Sequence, residues 1–177
     1  MTRIILITGG QRSGKSTYAE ELALSLSDHP VYMATAHVWD DEFAQRVERH
    51  QQRRGDAWTN IEEEIHLSCH DLSHRVVLVD CLTLWLTNLF FQAGGGATLP
   101  DVEAVLAEAK EEFDRLTTQD ATFIFVTNEI GLGGVSDNAL QRRFTDLEGW
   151  MNQYVASRAS TVVLMVSGIA VTIKQET

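Results

Sequence analysis

Short, nearly continuous apolar runs alternate along this chain with longer stretches of helical periodicity. The runs are "RIILIT" (Arg3–Thr8), "PVYMAT" (Pro30–Thr35), "RVVLVD" (Arg75–Asp80), "TFIFVT" (Thr122–Thr127) and "TVVLMV" (Thr161–Val166). They lack the apolar–polar alternation of a half-exposed strand, which places them in a sheet covered on both faces. "AVTIK" (Ala170–Lys174) follows Ser167-Gly168 and predicts a closing strand that turns back antiparallel. Helical patterns fill the gaps at Lys15–Leu26, Trp39–Arg54, Leu82–Phe91, Leu99–Leu116 and Asn138–Ser157. This alternation predicts an α/β three-layer domain with a mainly parallel sheet. "DAWTNIEEE" (Asp56–Glu64) fits a short strand and a helix start equally.

The 177 residues suit a single domain spanning 1–177, because "AGGGAT" (Ala93–Thr98) is too short to separate two. Apolar residues at 44% and charged residues at 22% match an ordinary soluble globular protein. A net charge of -11 argues against a nonspecific nucleic-acid binder, which needs excess Lys and Arg to neutralise phosphates. Cys69 and Cys81 are too few for a disulfide framework or zinc cluster, so both read as buried free thiols. The amino terminus has no signal-peptide cleavage pattern and no apolar run reaches membrane-spanning length. The expectation is a cytoplasmic protein.

"ITGGQRSGKST" (Ile7–Thr17) carries the first chemistry. Gly9, four residues and Gly14-Lys15-Ser16 satisfy the phosphate-loop pattern, between an apolar strand and a helix as that loop requires. Gly9, Gly10, Gln11, Arg12, Ser13, Gly14, Lys15, Ser16 and Thr17 are the expected nucleotide-holding set. The glycines let backbone N–H groups converge on phosphates at the positive end of a helix. Lys15 would reach the β- and γ-phosphates, and the Ser16 hydroxyl would bind Mg²⁺. Asp80, closing a buried strand, stands where a second carboxylate for magnesium is wanted. No guanine-reading N-K-x-D is present: "VTNEIG" (Val126–Gly131) supplies the Asn without the Lys and Asp.

"DDEFAQRVERHQQRRGDAW" (Asp40–Trp58) carries the second. Acids open this stretch and bases close it, matching a helix dipole. Arg46, His50 and Arg54 are spaced four apart and share a helical face, with Arg53 beside them. A histidine among guanidinium groups suits a nucleotide phosphate and could attack an α-phosphorus, carrying a nucleotidyl group covalently. Phe43 and Val47 lie near the same face, so a boundary histidine packed on the core is the stronger reading on pattern alone. His29, His37, His66, His70 and His74 show no ligand spacing; His66 and His70 read as a solvated face.

Taken in order, "TGGQRSGKS" (Thr8–Ser16), "MATAHVWDDEFAQRVERHQQRR" (Met33–Arg54), the strand of Asp80, "TNLF" (Thr87–Phe90), "VTNEIGLGGV" (Val126–Val135) and the terminal "VSGIAVTIK" resemble one family along nearly the whole chain. It is the bifunctional adenosylcobinamide kinase/adenosylcobinamide-phosphate guanylyltransferase family of cobalamin synthesis. The resemblance implies a RecA-like P-loop fold, a homotrimer and two reactions on one corrinoid, with GTP and ATP as nucleotide substrates and Mg²⁺. It implies that His50 carries GMP as a phosphoramidate, and that Ala34, Thr35, Ala36, Gln51, Gln52, Arg53, Arg54, Glu62 and Asp80 surround the guanine nucleotide. Some members carry Glu where Asp80 stands; either serves magnesium. The competing readings are a single-function P-loop kinase or RecA-like ATPase with a structural His50, and a nucleotide switch whose moving loop is "TNEIGLGGV". Trp150 and Tyr154, four apart on the last helix, are candidate anchors for the trimer.

Overall fold

The structure is a computed structural model that describes residues 1–37, 55–94 and 99–176. The expected helix Trp39–Arg54, with Arg46, His50, Gln51, Gln52, Arg53 and Arg54, lies outside the described residues. Seven strands form one sheet: β1 Arg3–Gly9, β2 Val31–Ala34, β3 Thr59–Glu62, β4 Val76–Asp80, β5 Thr122–Val126, β6 Thr161–Val166 and β7 Ile169–Gln175. Their order is β3-β2-β4-β5-β1-β6-β7. All pairs are parallel except β6–β7. That last turn uses Ser167 (φ 51°) and Gly168 (φ 80°), the paired positive φ values of a tight hairpin turn.

Alternate residues of each strand feed opposite layers, which is why the central runs are apolar throughout. Ile5, Ile7, Leu78, Ile124 and Val163 pack with Ala19 and Ala23 of α1 (Lys15–Leu26). Leu6, Met33, Val77, Val79, Phe123 and Phe125 pack on the other face against α2 (Leu82–Gly94), α3 (Val102–Thr117) and α4 (Ala139–Arg158). Trp85, Phe90 and Phe113 are the largest side chains from those helices that are fully buried there. No helix among the described residues is long and apolar enough to cross a membrane.

Several expected boundaries move. The helix expected at Leu99 begins at Val102, because Asp101 caps it by accepting from the N–H groups of Glu103 and Ala104. The helix expected to stop at Phe91 continues to Gly94. Asn138 is the cap of α4 and not its first residue. The undecided stretch Asp56–Glu64 contains β3, an edge strand, after a short 3-10 turn at Gly55–Ala57. Cys81 is buried as expected, but Cys69 is exposed because it ends a surface turn. Trp150 is 45% exposed. Tyr154 is tied down by its hydroxyl's bonds to Asp114 and by Lys110 and Arg158 over its ring. The larger run of exposed apolar residues is on the hairpin edge: Val166, Ile169, Val171 and Ile173.

Candidate functional site

A parallel sheet brings its carboxyl strand ends to one edge, the edge where α/β folds hold ligands. Here the register is explicit. Glu62 pairs with Ala34, Ala34 with Asp80, Asp80 with Val126, and Val126 with Ile7. One row across the sheet therefore carries Glu62, Ala34 and Asp80 toward the end of β1, where the phosphate loop begins.

The loop is built as its sequence demands. Gly9 ends β1 and Lys15 opens α1. Gly14 sits at φ +97° as the helix cap; no side chain caps α1, and its first turn holds no acidic residue. The uncapped N–H groups are thus presented to an anion at the positive helix end. Gly9 has φ +149°, and a Cβ there would lie 2.5 Å from the Met165 carbonyl oxygen and 2.9 Å from Ser13 Oγ. The loop is held from two sides: Gly168 N–H donates to Ser13 O (2.9 Å) and Glu129 N–H to Gly9 O (3.2 Å). Arg12, at φ 58°, forms its exposed tip with Gly10 and Gln11. Ser13 Oγ is buried without a hydrogen-bond partner among the described residues. Ser16 is half-buried and Thr17 exposed on the first turn of α1.

Lys15 is only 7% exposed and donates to Gly10 O at 2.6 Å. Burial lowers its pKa, opposed by negative charge nearby. Burial and the charge of Asp80 push the neighbouring Cys81 thiol up to about 12, so it is neutral near pH 7. Asp80 is then the main negative charge near Lys15, with the Glu148 carboxyl a smaller contribution. Asp80 also accepts from the Tyr32 hydroxyl at 2.8 Å, which orients the carboxylate.

Thr35 is fully buried and latches two strand ends. Its hydroxyl donates to Cys81 O (2.7 Å) and accepts from Cys81 N–H (2.9 Å), and Asn88 Nδ2 donates to its carbonyl (2.8 Å). It therefore fixes the backbone around Asp80, with half-buried Ala34 and Ala36 on either side.

Behind the loop lies a polar network that the motifs did not reveal. The Thr8 hydroxyl donates to Glu129 Oε1 (2.6 Å), and Asn152 Nδ2 reaches the same oxygen (3.5 Å) and Asn128 O (2.9 Å). Thr83 donates to Glu148 Oε1 (2.6 Å), and Ile130 N–H donates to Oε2 (3.3 Å). Glu148 stands in phase with Leu147, Met151 and Val155, the buried stripe of α4. An acid on an apolar helical stripe is a signal legible in sequence.

Burial pushes the Glu148 carboxyl up to about 7, against the hydrogen bonds from Thr83 and Ile130, with Glu129 adding to the rise. The folded state then binds more protons than the unfolded chain between the ordinary value of 4.5 and about 7. Its contribution to stability is greatest below that window and is lost as pH rises through it. In Glu148→Gln, stability relative to the parent should rise across the window by up to about 3 kcal/mol. Denaturant unfolding of both proteins at about pH 5 and about pH 8 measures this; an unchanged difference contradicts it.

Residues 5–173 match the family described as Cobinamide kinase / cobinamide phosphate guanyltransferase. The chain is 40% identical over 184 residues to the bifunctional adenosylcobalamin biosynthesis protein CobU of Escherichia coli, covering 97% of this chain and 99% of that protein. It is 38% identical over 175 residues to the bifunctional adenosylcobalamin biosynthesis protein CobP of Pseudomonas aeruginosa, with 97% of each chain covered. Its fold is similar to that of a prototypical ATPase from the type III secretion system of pathogenic bacteria. That likeness has a TM-score of 0.57 at 12% identity and covers 96% of this chain and 56% of the other. Together with the mostly parallel sheet, it establishes the RecA-like P-loop architecture. The family match spans both the phosphate loop on β1 and α1 and the closing β6–β7 hairpin, and the chain belongs to the cobinamide kinase/cobinamide phosphate guanyltransferase family.

Proposed function

We propose that this protein carries out two successive reactions on a corrinoid at the carboxyl edge of its sheet. The activities are those of its family, cobinamide kinase and cobinamide-phosphate guanylyltransferase in cobalamin biosynthesis. In the first reaction the hydroxyl oxygen on the aminopropanol arm of adenosylcobinamide attacks the γ-phosphorus of ATP or another nucleoside triphosphate, and the diphosphate leaves. In the second, His50 attacks the α-phosphorus of GTP and pyrophosphate leaves, forming a phosphoramidate. A phosphate oxygen of adenosylcobinamide phosphate then attacks that phosphorus, releasing His50 and giving adenosylcobinamide-GDP. The histidine step splits a displacement between two repelling phosphates into two easier ones.

The observation that carries this reading is the convergence of the loop glycines, Lys15, Ser16 and Asp80 at one sheet edge in a chain of this family. Lys15 and Arg12 would cradle the triphosphate, and Arg46, Arg53 and Arg54 would stabilise charge on the equatorial oxygens during GMP transfer. Gln51, Gln52, Ala34, Thr35, Ala36 and Glu62 would complete the guanine-nucleotide surroundings. β2 ends at Ala34 on this edge, and His50 follows it in the sequence. The Ser16 hydroxyl and Asp80 carboxylate are hard oxygen donors, a set that fits Mg²⁺. When bound, the ion supplies neutralisation of phosphate charge. We also propose that 1–177 acts as a single unit and assembles as a homotrimer. The exposed apolar edge at Val166, Ile169, Val171 and Ile173 offers more apolar surface for that contact than Trp150 does.

With GTP labelled at the α-phosphorus, denatured wild-type protein should retain an acid-labile, base-stable label that maps to His50. His50→Ala should lose that label and still phosphorylate adenosylcobinamide. Lys15→Ala should lower both rates on the order of a hundredfold. Label on another residue, or undiminished label in His50→Ala, overturns His50 as the carrier; no retained label at all leaves a single-function kinase with a structural histidine. Sedimentation at micromolar concentration should give a trimer; a monomer removes the assembly proposal.

A further inference from the structure

Glu63, which follows β3, is held at both ends. Its N–H donates to Ala34 O (3.0 Å), and its carboxylate Oε1 accepts from the N–H groups of Ile65 (3.1 Å) and His66 (2.9 Å). Oε2 is thereby aimed at Cys69 Sγ, 3.6 Å away, and at His70 Nε2, 3.3 Å away. The three ligand atoms all lie within 4.8 Å of one another. The turn bearing Cys69 and His70 is fixed independently. Leu67 is buried, Ser68 N–H donates to Glu112 Oε1 (2.7 Å), Cys69 N–H to His66 O (3.0 Å), and Gln119 Nε2 to His70 O (3.0 Å).

The N···O separation lies nearer a tetrahedral edge than the centre of the hydrogen-bond range, and the S···O separation suits either. With metal–nitrogen and metal–oxygen bonds of about 2.0–2.1 Å and a metal–thiolate bond of about 2.3 Å, a tetrahedron has N···O edges of about 3.3 Å and S···O edges of about 3.5 Å. An N–H···O bond, by contrast, centres at about 2.9–3.0 Å. We propose that Glu63, Cys69 and His70 form a three-ligand site for a thiophilic divalent cation, zinc in the first instance, with the fourth position open to water. Thiolate and imidazole select such an ion over magnesium, so the site is chemically distinct from the oxygen donors Ser16 and Asp80. The backbone N–H groups on Oε1 are the outer-shell contacts that orient a ligating carboxylate.

The proton balance is simple. A Cys69 thiol that binds the ion loses its proton to solvent and coordinates as the thiolate. His70 coordinates through Nε2 as the neutral ring, with its proton on Nδ1. Thiolate, carboxylate and cation then sum to no net charge. The bound ion would clamp the end of β3, next to Glu62, to the turn that precedes β4. The sequence concealed the group because its members belong to no ligand motif and meet only through this turn.

Cobalt(II) titration of the full-length protein tests the site, because a thiolate ligand gives a near-ultraviolet charge-transfer band and tetrahedral geometry gives strong visible bands. Wild type should bind one equivalent with both signatures, and zinc should displace it. Cys69→Ser, at an exposed position, should lose the charge-transfer band. His70→Ala should weaken binding at least about tenfold. Zinc should raise the melting temperature of wild type and not of Cys69→Ser. Absence of the band in wild type, its persistence in Cys69→Ser, or unchanged affinity in His70→Ala overturns the proposal.

Discussion

Where β1 ends, there is no room for a side chain. The Met165 carbonyl oxygen of β6 would lie 2.5 Å from a Cβ on Gly9, closer than real contacts permit. That close approach brings the phosphate loop against the β6–β7 turn, where Gly168 takes hold of Ser13, while Glu129 takes hold of Gly9 from the other side. The loop's shape therefore depends on three neighbouring segments of a buried parallel sheet as well as on its own glycines. A loop fixed in this way presents its N–H groups to phosphates with little reorganisation on binding, which is the form of stabilisation that phosphoryl chemistry needs.

The polar groups behind the loop extend the same constraint inward. Buried carboxylates and amides are costly unless they are paired. Glu129, Asn152, Thr127, Thr83 and Glu148 meet this condition by bonding to one another and to the backbone after β5. α2 and α4 are thus coupled through side chains to the strand end from which the loop departs. Lys15 feels the Asp80 carboxylate at the sheet end and, more weakly, the Glu148 carboxyl on α4.

Much of this was legible in the chain. The five central strands announced themselves because burial on both faces demands continuous apolar runs, and Ser167-Gly168 announced the hairpin because few pairs take two positive φ values. β3 stayed ambiguous for a physical reason: it is a sheet edge whose "TNIE" is largely exposed, so no apolar period marks it. The start of α3 was misplaced because capping by Asp101 outweighs the apolar character of Leu99. In the site, the loop and Asp80 were read from local pattern, and the register set Ala34 and Glu62 in the same row as Asp80. Glu148 could have been found by its phase on the buried stripe of α4. The contact of Glu63 with Cys69 and His70 could not, because a tertiary turn creates it.

The proposed role of this member of the cobinamide kinase/cobinamide phosphate guanyltransferase family is to catalyse two ordered reactions on one corrinoid. The most direct measurement incubates the purified protein with adenosylcobinamide, ATP, GTP and Mg²⁺ and follows the corrinoid by mass over time. Adenosylcobinamide phosphate should form first and be consumed as adenosylcobinamide-GDP accumulates, with pyrophosphate released in equal amount. A corrinoid that stops at the phosphate, or that is not modified at all by a folded, nucleotide-binding protein, contradicts the account.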